Sequence, residues 1–239
     1  MIVYVDDIIL TGHEQKVKET IDMLKNNFCA KDLGEVKNFL GITISRESGN
    51  LTLGQPKMIS KVLSSFGMSD CKGAASAMET NFQIDNTLEV IDVPYRKLIG
   101  SLMYIATTSR PDIMFAVSYL SRVFDKPSQQ TWKAGKRVLR YLKETQNFSL
   151  TYKKKPWELV CYTDSNRASN KIDRKSITGC IVFYCGNPVS WLSQKQNCVA
   201  LSTAEAEYIA AATSAQELIY LKGISSDFNV QGKSKLLVE

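Results

Sequence analysis

The chain has 239 residues, of which 44% are hydrophobic and 23% are charged, as is typical of globular proteins with one large or two small domains. Its formal net charge of +6 is compatible with a polyanionic partner but does not identify one. The six cysteines form no Cys-x-x-Cys pair and His13 is the single histidine, which argues against a zinc finger. No apolar run approaches the ~20 residues of a membrane span, and no signal-peptide pattern is present. We therefore expect reduced thiols in an intracellular protein with no membrane partner.

Two adjacent carboxylates, Asp6 and Asp7, lie between short apolar runs at residues 2–5 and 8–10. Each run has the length of a short buried strand, so the pattern predicts a hairpin with both acids at its tip. Hairpin turns usually take Asn-Gly or Asp-Gly, and two adjacent negative charges raise one pKa unless they share a cation. Mg²⁺ binds one or two carboxylates together with substrate phosphates. The residues alone therefore allow two interpretations, a phosphoryl-transfer site or an acidic surface turn.

The segment Tyr4-Val5-Asp6-Asp7 resembles the Tyr-x-Asp-Asp motif of reverse transcriptases, which also has hydrophobic strands on both sides. This resemblance implies that Asp6 and Asp7 are catalytic metal ligands that work with a third Asp on an earlier strand of the polymerase palm. The motif begins at residue 4. We therefore expect the chain to carry only part of a polymerase site.

The next segments alternate helical and extended patterns. Apolar residues at steps of three and four predict a helix over residues 13–28. Residues 39–46 are expected to form a strand, followed by a Gly-containing turn and a returning strand at 51–53. A helix is predicted from residue 55 to Gly67, a plausible C-cap, and residues 69–92 form an extended connection. This order resembles the end of a reverse-transcriptase palm followed by a small thumb.

A helix over residues 132–143 carries the strongest nucleic-acid signal in the composition. Its cations recur at steps of three and four and can contact phosphates: Lys133, Lys136, Arg137, Arg140 and Lys143. A solvated amphipathic helix remains the alternative. Two further helices are expected before it, at residues 95–109 and after Pro111. Residues 95–104, 108–113 and 136–143 resemble the copia-type retrotransposon polyprotein, in which this segment joins the thumb to ribonuclease H.

In the last third of the chain, the sequence predicts three strands, at residues 158–165, 177–184 and 188–193. A basic loop at 172–179, between the first two, contains Arg174 and Lys175. A helix begins at Ser202, where Glu205 completes a capping box, and continues to about residue 228. Glu207 has no such capping role and is followed by small alanine residues. Another strand begins at residue 235.

This order resembles ribonuclease H of the copia type, as do residues 173–176, 190–191, 195–196 and 202–208. Enzymes of that family hold two Mg²⁺ ions with four acids and activate a water against an RNA phosphodiester. Asp164 matches the first acid and Glu207 the second, so the resemblance implies that both are catalytic metal ligands. The third and fourth are expected beyond residue 239. A strand-end surface acid and a helix-surface charge are the alternatives for Asp164 and Glu207.

The expected fold is α+β, with a partial reverse-transcriptase palm and thumb (1–68), a mostly helical connection (69–147) and an incomplete ribonuclease H-like mixed sheet with helices (148–239). We expect a Pol polyprotein fragment that is inactive alone. The resemblance implies Mg²⁺ or Mn²⁺ as cofactor, an RNA/DNA hybrid or other nucleic acid and the rest of the polyprotein as partners, and a cytoplasmic particle or the nucleus as location. A non-catalytic nucleic-acid-binding protein derived from a retrotransposon, or a degenerate reading frame, are the alternatives.

Overall fold

A computed structural model describes residues 1–168, 173–228 and 233–238. The sequence predictions that concern residues 172 and 239 lie outside this part of the chain. In the described part, sheets and helices are mixed, in agreement with the predicted α+β class. No helix in these ranges is long and apolar enough to cross a membrane.

The N-terminus forms the predicted hairpin and helix. Strand β1 (Ile2–Tyr4) pairs antiparallel with β2 (Asp7–Ile9) in a two-stranded sheet. Helix α1 (Glu14–Asn27) follows and has no buried residue. The expectation of buried strands was wrong, because Val3 is 55% exposed and Val5 82%. Both strands pair only with each other, so their apolar side chains remain at the surface.

A second sheet contains β3 (Asn38–Phe39), β4 (Ile42–Glu47), β5 (Asn50–Gly54) and the later strand β6 (Ser149–Tyr152), in that order. The single strand predicted over 39–46 was wrong, because Leu40 and Gly41 adopt positive φ angles of 48° and 76° and reverse the chain. Strand β6 was not predicted. It pairs antiparallel with β5, so segments on both sides of the helical region meet in one sheet.

Four helices form the largest core. They are α2 (Pro56–Ser65), α3 (Tyr95–Thr108), α4 (Met114–Leu120) and α5 (Gln129–Glu144), with 3-10 turns on both sides of α4. The predicted helical periodicity is confirmed, because Leu98, Leu102 and Leu139 are completely buried between these helices. A Cβ on Gly135 would lie 2.8 Å from Leu98 Cδ2, so the glycine allows α5 to approach α3 closely. Residues 69–92 form the predicted irregular connection.

The C-terminal sheet has the order β10-β7-β8-β9. Its strands are β7 (Leu159–Asn166), β8 (Ile177–Tyr184), β9 (Asn187–Lys195) and β10 (Ser234–Val238), and α6 (Thr203–Asp227) connects β9 to β10. Strands β7, β8 and β9 are antiparallel, whereas β10 runs parallel to β7 with Val238 opposite Thr163. A small core of Leu159, Cys161, Val182 and Leu218 lies between the sheet and α6.

The helical region and the C-terminal sheet make direct polar contacts. The Trp191 indole Nε1 donates a hydrogen bond to the Ala106 carbonyl at 2.8 Å, and the Ser118 hydroxyl donates to the Ser193 carbonyl at 2.6 Å. Both acceptors are backbone carbonyls, which gives the contacts a fixed direction. Strand β9 is thereby tied to α3 and α4.

Candidate active site

The first predicted acid pair lies on the exposed hairpin. Asp6 shares the two-residue turn with Val5, which has a φ of 50°, and Asp7 begins β2 opposite Tyr4. Both carboxylates are exposed. Hairpin turns with positive φ usually take Asn or Gly, so the β-branched Val5 is strained in this position. The prediction of both acids at the tip was wrong, because Val5 and Asp6 form the turn and Asp7 already pairs with Tyr4 as the first residue of β2.

The second predicted site lies at the C-terminal end of β7. Asp164 is exposed there and pairs in register with Gly179 of β8. Because glycine has no side chain, nothing on β8 covers the Asp164 carboxylate at the opposing position. On the other side of β7, the last described pair with the parallel strand β10 is Thr163 with Val238. Asp164 is thus an open carboxylate at a strand end.

Glu207 of α6 reaches the same strand end. Its Oε1 accepts a hydrogen bond from the Ser165 hydroxyl at 2.8 Å. Its Oε2 is buried and has no hydrogen-bond partner among the described residues. A buried acceptor without a donor is costly and uncommon, and such groups often mark binding sites. Glu207 is therefore held through one oxygen and left free through the other.

The start of α6 is fixed by its cap and by the glutamine that directly follows β9. Ser202 Oγ accepts a hydrogen bond from the Glu205 N–H at 3.0 Å, which confirms the predicted cap. Glu205 Oε2 accepts from the Leu201 N–H at 2.6 Å instead of the Ser202 N–H, so the reciprocal half of the predicted capping box was wrong, although this carboxylate has a structural role. Gln196 Nε2 donates to the Ala206 carbonyl at 2.9 Å, and Ala206 itself is completely buried. These contacts hold Glu207 over β7.

Asp164 and the Glu207 carboxylate lie on different faces of β7, near the C-terminal end of this strand. Consecutive side chains of a strand point to opposite faces, so Ser165 faces α6 while Asp164 faces away from it. Glu207 therefore contacts Ser165, the residue next to Asp164 on β7. Among the described residues, no group of three or more acidic, histidine or cysteine side chains is arranged to hold a metal ion.

Two cations of the predicted α5 stripe bind segments of this chain. Arg137 contacts Glu79 Oε1 at 3.1 Å and donates to the Ser76 hydroxyl at 3.1 Å. Arg140 Nε donates to the Lys72 carbonyl at 2.8 Å. These two guanidinium groups hold the irregular connection against α5, and part of the stripe is therefore structural.

The other predicted cations differ in their environment. Lys133, Lys143 and Arg174 are exposed. Lys136 lies over the ring of Trp132, with its Nζ 5.6 Å from the ring centroid, as in a cation–π contact. Lys175 Nζ donates to the Asn197 carbonyl at 2.6 Å.

The loop before β8 also contains an ion pair, between Asp173 and Lys195 of β9. Burial alone raises the pKa of Asp173, but the hydrogen bond from Lys195 and the backbone N–H of Lys175 outweigh it and lower this pKa. Asp173, an acidic residue of the basic loop, thus helps to hold this loop against β9.

Arg110 and Asp112, on either side of Pro111, form a buried ion pair that no sequence pattern indicated. Arg110 is 2% exposed, and its guanidinium binds Asp112 and donates to the Thr145 carbonyl at 3.0 Å. It lies 5.5 Å from the ring centroids of both Tyr141 and Phe148. Burial raises the pKa of Asp112, but Arg110 outweighs it and this pKa is lowered. The contacts assign this pair a structural role in joining the helices.

Comparison with known proteins identifies the chain's relatives. Residues 1–80 match the family model described as reverse transcriptase (RNA-dependent DNA polymerase). The chain is 35% identical over 98% of its length to the retrovirus-related Pol polyprotein from transposon TNT 1-94 of Nicotiana tabacum, and spans 18% of that protein. Identity to the corresponding polyprotein from transposon RE2 of Arabidopsis thaliana is 35% over 97% of the chain, which spans 16% of it.

A third relative has nearly the same extent as this chain. An uncharacterized mitochondrial protein of Arabidopsis thaliana is 34% identical over 92% of the chain, which covers 93% of that relative. The long and short relatives share this region with the chain. The chain belongs to the family of copia-type retrotransposon Pol polyproteins, which confirms the resemblance noted in the sequence.

Proposed function

We propose that the C-terminal sheet with α6 is a ribonuclease H-like unit in which Glu207 binds a divalent cation and Asp164, on the other face of β7, is the neighbouring acid. The observation that carries this proposal is the buried Oε2 of Glu207, which has no hydrogen-bond partner among the described residues. The other oxygen, Oε1, accepts from Ser165, the residue that follows Asp164 on β7. The strand order supports the ribonuclease H resemblance: three antiparallel strands are followed by a helix and by a strand parallel to the first. The domain boundaries and the palm and thumb assignments remain predictions.

The residues present fit a hard divalent cation. Mg²⁺ and Mn²⁺ prefer carboxylate oxygens, and Glu207 Oε2 is free to serve as such a ligand. The exposed Asp164 carboxylate is also free, but its side chain would have to turn around the strand to reach the same ion. A bound ion of this kind supplies Lewis-acid activation of a water or of a phosphodiester. Ser165 holds Glu207 Oε1 and limits its rotamers, while the Ser202 cap and Gln196 fix the helix that carries it.

We further propose that this chain alone has negligible catalytic activity. Two carboxylates are half of the four-acid set that the ribonuclease H resemblance implies, and in the described ranges no third acid joins them. Fewer ligands weaken cation binding and leave the remaining charges to repel one another. On the N-terminal hairpin we assign Asp6 and Asp7 as the polymerase acids, which stand in open solvent and so lack the water-excluded environment that strengthens such sites.

Metal binding is tested by thermal unfolding in Mn²⁺ and Mg²⁺. A cation present at tenfold its Kd stabilises the folded state by about 1.4 kcal/mol, which raises Tm by roughly 3–6 °C for a chain of this size. We expect this rise in the wild type, its loss in Asp164→Asn with Glu207→Gln, and its retention in the control Glu205→Gln. An equal rise in the double variant would contradict the site.

Catalysis is tested separately with a labelled RNA/DNA hybrid. We expect no Mg²⁺-dependent turnover by the purified chain above the level of the Asp164→Asn variant. Robust turnover that Asp164→Asn abolishes would disprove the inactivity but support the site.

Non-catalytic nucleic-acid binding is a second candidate function. It is favoured by the exposure of Lys133, Lys143 and Arg174, which form no ion pair among the described residues. Binding of this kind weakens steeply with salt because it releases counterions. We expect such binding to survive Asp164→Asn with Glu207→Gln, whereas its loss in that variant would assign it to the acidic site.

A further inference from the structure

Five lysines lie at the end of the C-terminal sheet that is opposite to Asp164. Three precede β7, one precedes β10 and one is the second residue of β10: Lys153, Lys154, Lys155, Lys233 and Lys235. Lys235 is paired with Glu158 at 2.7 Å, and the other four form no ion pair among the described residues. We propose that this end of the sheet, the lysine cleft, binds phosphate groups of a nucleic-acid strand.

Backbone and amide contacts fix the segments of the lysine cleft to one another. Asn187 is buried, accepts from the Lys153 N–H at 2.9 Å and donates to the Lys153 carbonyl at 3.0 Å. The Cys185 N–H donates to the Glu158 carbonyl at 2.7 Å. The Leu159 N–H donates to the Lys233 carbonyl at 3.1 Å. The β8–β9 turn, the start of β7 and the start of β10 therefore form one preorganised surface.

The cleft itself has a volume of about 460 Å³, and Lys155, Trp157, Gly186 and Lys233 are among its lining residues. Gly186 has a φ of 68°, and a Cβ there would lie 3.0 Å from Lys155 Nζ. Glycine thus allows both the turn and the position of Lys155 over it. The Trp157 indole N–H is buried and meets no acceptor with hydrogen-bond geometry in the described ranges.

This set of donors selects an acceptor-rich anion. Lys155, Lys233 and Trp157 line the cleft, and its one carboxylate, Glu158, is already paired with Lys235. Lysine binds phosphate as a point charge without the bidentate geometry that arginine offers, so we expect contacts to the backbone of a strand and no base sequence preference. The neighbouring Lys153 and Lys154 extend the positive charge along the same segment.

The lysine cleft is separate from the other proposed contacts. Trp157 and Asp164 are seven positions apart, or about 23 Å along an extended chain. Its variants therefore leave Asp164, Glu207 and the α5 cations in place. The choice of a nucleic acid as the ligand rests on the proposed nucleic-acid binding. The experiment distinguishes a failure of the lysine cleft from a failure of that proposed function.

The test measures anisotropy of a labelled single-stranded oligonucleotide at several salt concentrations, with Lys155→Ser plus Lys233→Ser as the variant. Loss of two phosphate contacts should reduce the slope of log K against log salt by about 1.4 and weaken binding at least about fivefold. The control, Lys57→Ser plus Lys61→Ser, removes the same charge from exposed positions of α2. We expect it to leave the slope unchanged.

Trp157→Phe gives a second readout, because it removes the indole N–H but keeps the apolar ring. We expect weaker binding, together with loss of the part of the tryptophan fluorescence change that the oligonucleotide causes in the wild type. Circular dichroism checks that each variant is folded.

Equal affinity and slope in the cleft variant and its control would overturn the lysine cleft alone. No binding by the wild type would overturn both the cleft and the proposed nucleic-acid binding. Binding to phosphatidylserine vesicles that depends on Lys155 and Lys233, without binding to the oligonucleotide, would assign the cleft to a membrane surface and overturn the proposal. The Mn²⁺ melting assay reports on Asp164 and Glu207 independently of all three outcomes.

Discussion

The two acidic sites of this chain stand on supports of different kinds. Asp6 and Asp7 lie on a hairpin of two three-residue strands whose apolar side chains are exposed. Asp164 lies on an eight-residue strand in the middle of a four-stranded sheet, with a helix packed over its buried residues. Isolated two-stranded hairpins are marginally stable, whereas a sheet covered by a helix is self-supporting. The second site therefore has the more rigid framework.

This difference shows that a motif and its environment are separate requirements. The hairpin supplies the pair of residues that the motif requires, but the side chains of Ile2, Val3 and Tyr4 around it are exposed. In the C-terminal sheet, a hydroxyl fixes one oxygen of Glu207 and burial isolates the other. Preorganisation of this kind comes from contacts between distant segments.

The largest expected effect compares a core residue with a hairpin residue. Leu98 is completely buried between helices, so Leu98→Ala should lower the free energy of unfolding by about 2–5 kcal/mol. Val3 is more than half exposed, and Val3→Ala should change it by less than about 0.5 kcal/mol. Urea denaturation followed by circular dichroism measures both. A comparable loss in Val3→Ala would show that the hairpin is packed in solution.

A smaller effect compares the supports of the two acids. Ser165→Ala removes the donor to Glu207 Oε1, and loss of a hydrogen bond to a charged group should cost about 1.5 kcal/mol. Asp6→Asn, at an exposed turn position, should stay within about 0.5 kcal/mol. The same denaturation experiment measures both variants. If Ser165→Ala were as neutral as Asp6→Asn, the contact between Glu207 and β7 would not be preorganised.

Local patterns accounted for most of the elements. The helices at 95–108 and 203–227 were predictable because apolar spacing, Pro94 and the Ser202 cap all act within a few residues. The strand break at Leu40 and Gly41 was missed because a single glycine in an apolar run does not reveal a positive φ at its neighbour. Strand β6 was missed because it is a four-residue strand whose partner β5 lies about a hundred residues earlier.

The candidate sites were predictable in residue type but less so in geometry. The cation stripe of α5 follows from helical spacing, but the partners of Arg137 and Arg140 are 58 and 68 residues away, at Glu79 and Lys72. The contact of Glu207 with Ser165 spans 42 residues and likewise has no local signal. Long-range contacts therefore decide which charges are available to a ligand and which hold the fold.

The smallest effect at neutral pH concerns a buried and an exposed tyrosine. The Tyr95 hydroxyl is buried in the helical core and donates to the Leu120 carbonyl at 2.9 Å, so Tyr95→Phe should cost about 1 kcal/mol. Tyr4 is 56% exposed, and Tyr4→Phe should cost less than about 0.5 kcal/mol at the same pH. Urea denaturation at pH 8 measures both differences.

The hydroxyl of Tyr95 also predicts a loss of stability at high pH. Burial raises the pKa of Tyr95 from 10.0 to about 12, so the folded state retains its proton where the unfolded chain has lost it. Because the folded state then binds more protons, this contribution is complete below pH 10 and is lost as pH rises through about 12. Between these values the free energy of unfolding should fall more steeply with pH in the wild type than in Tyr95→Phe. Parallel curves for the two proteins would mean that water reaches the Tyr95 hydroxyl. The helical core would then be as exposed to solvent at this point as the N-terminal hairpin.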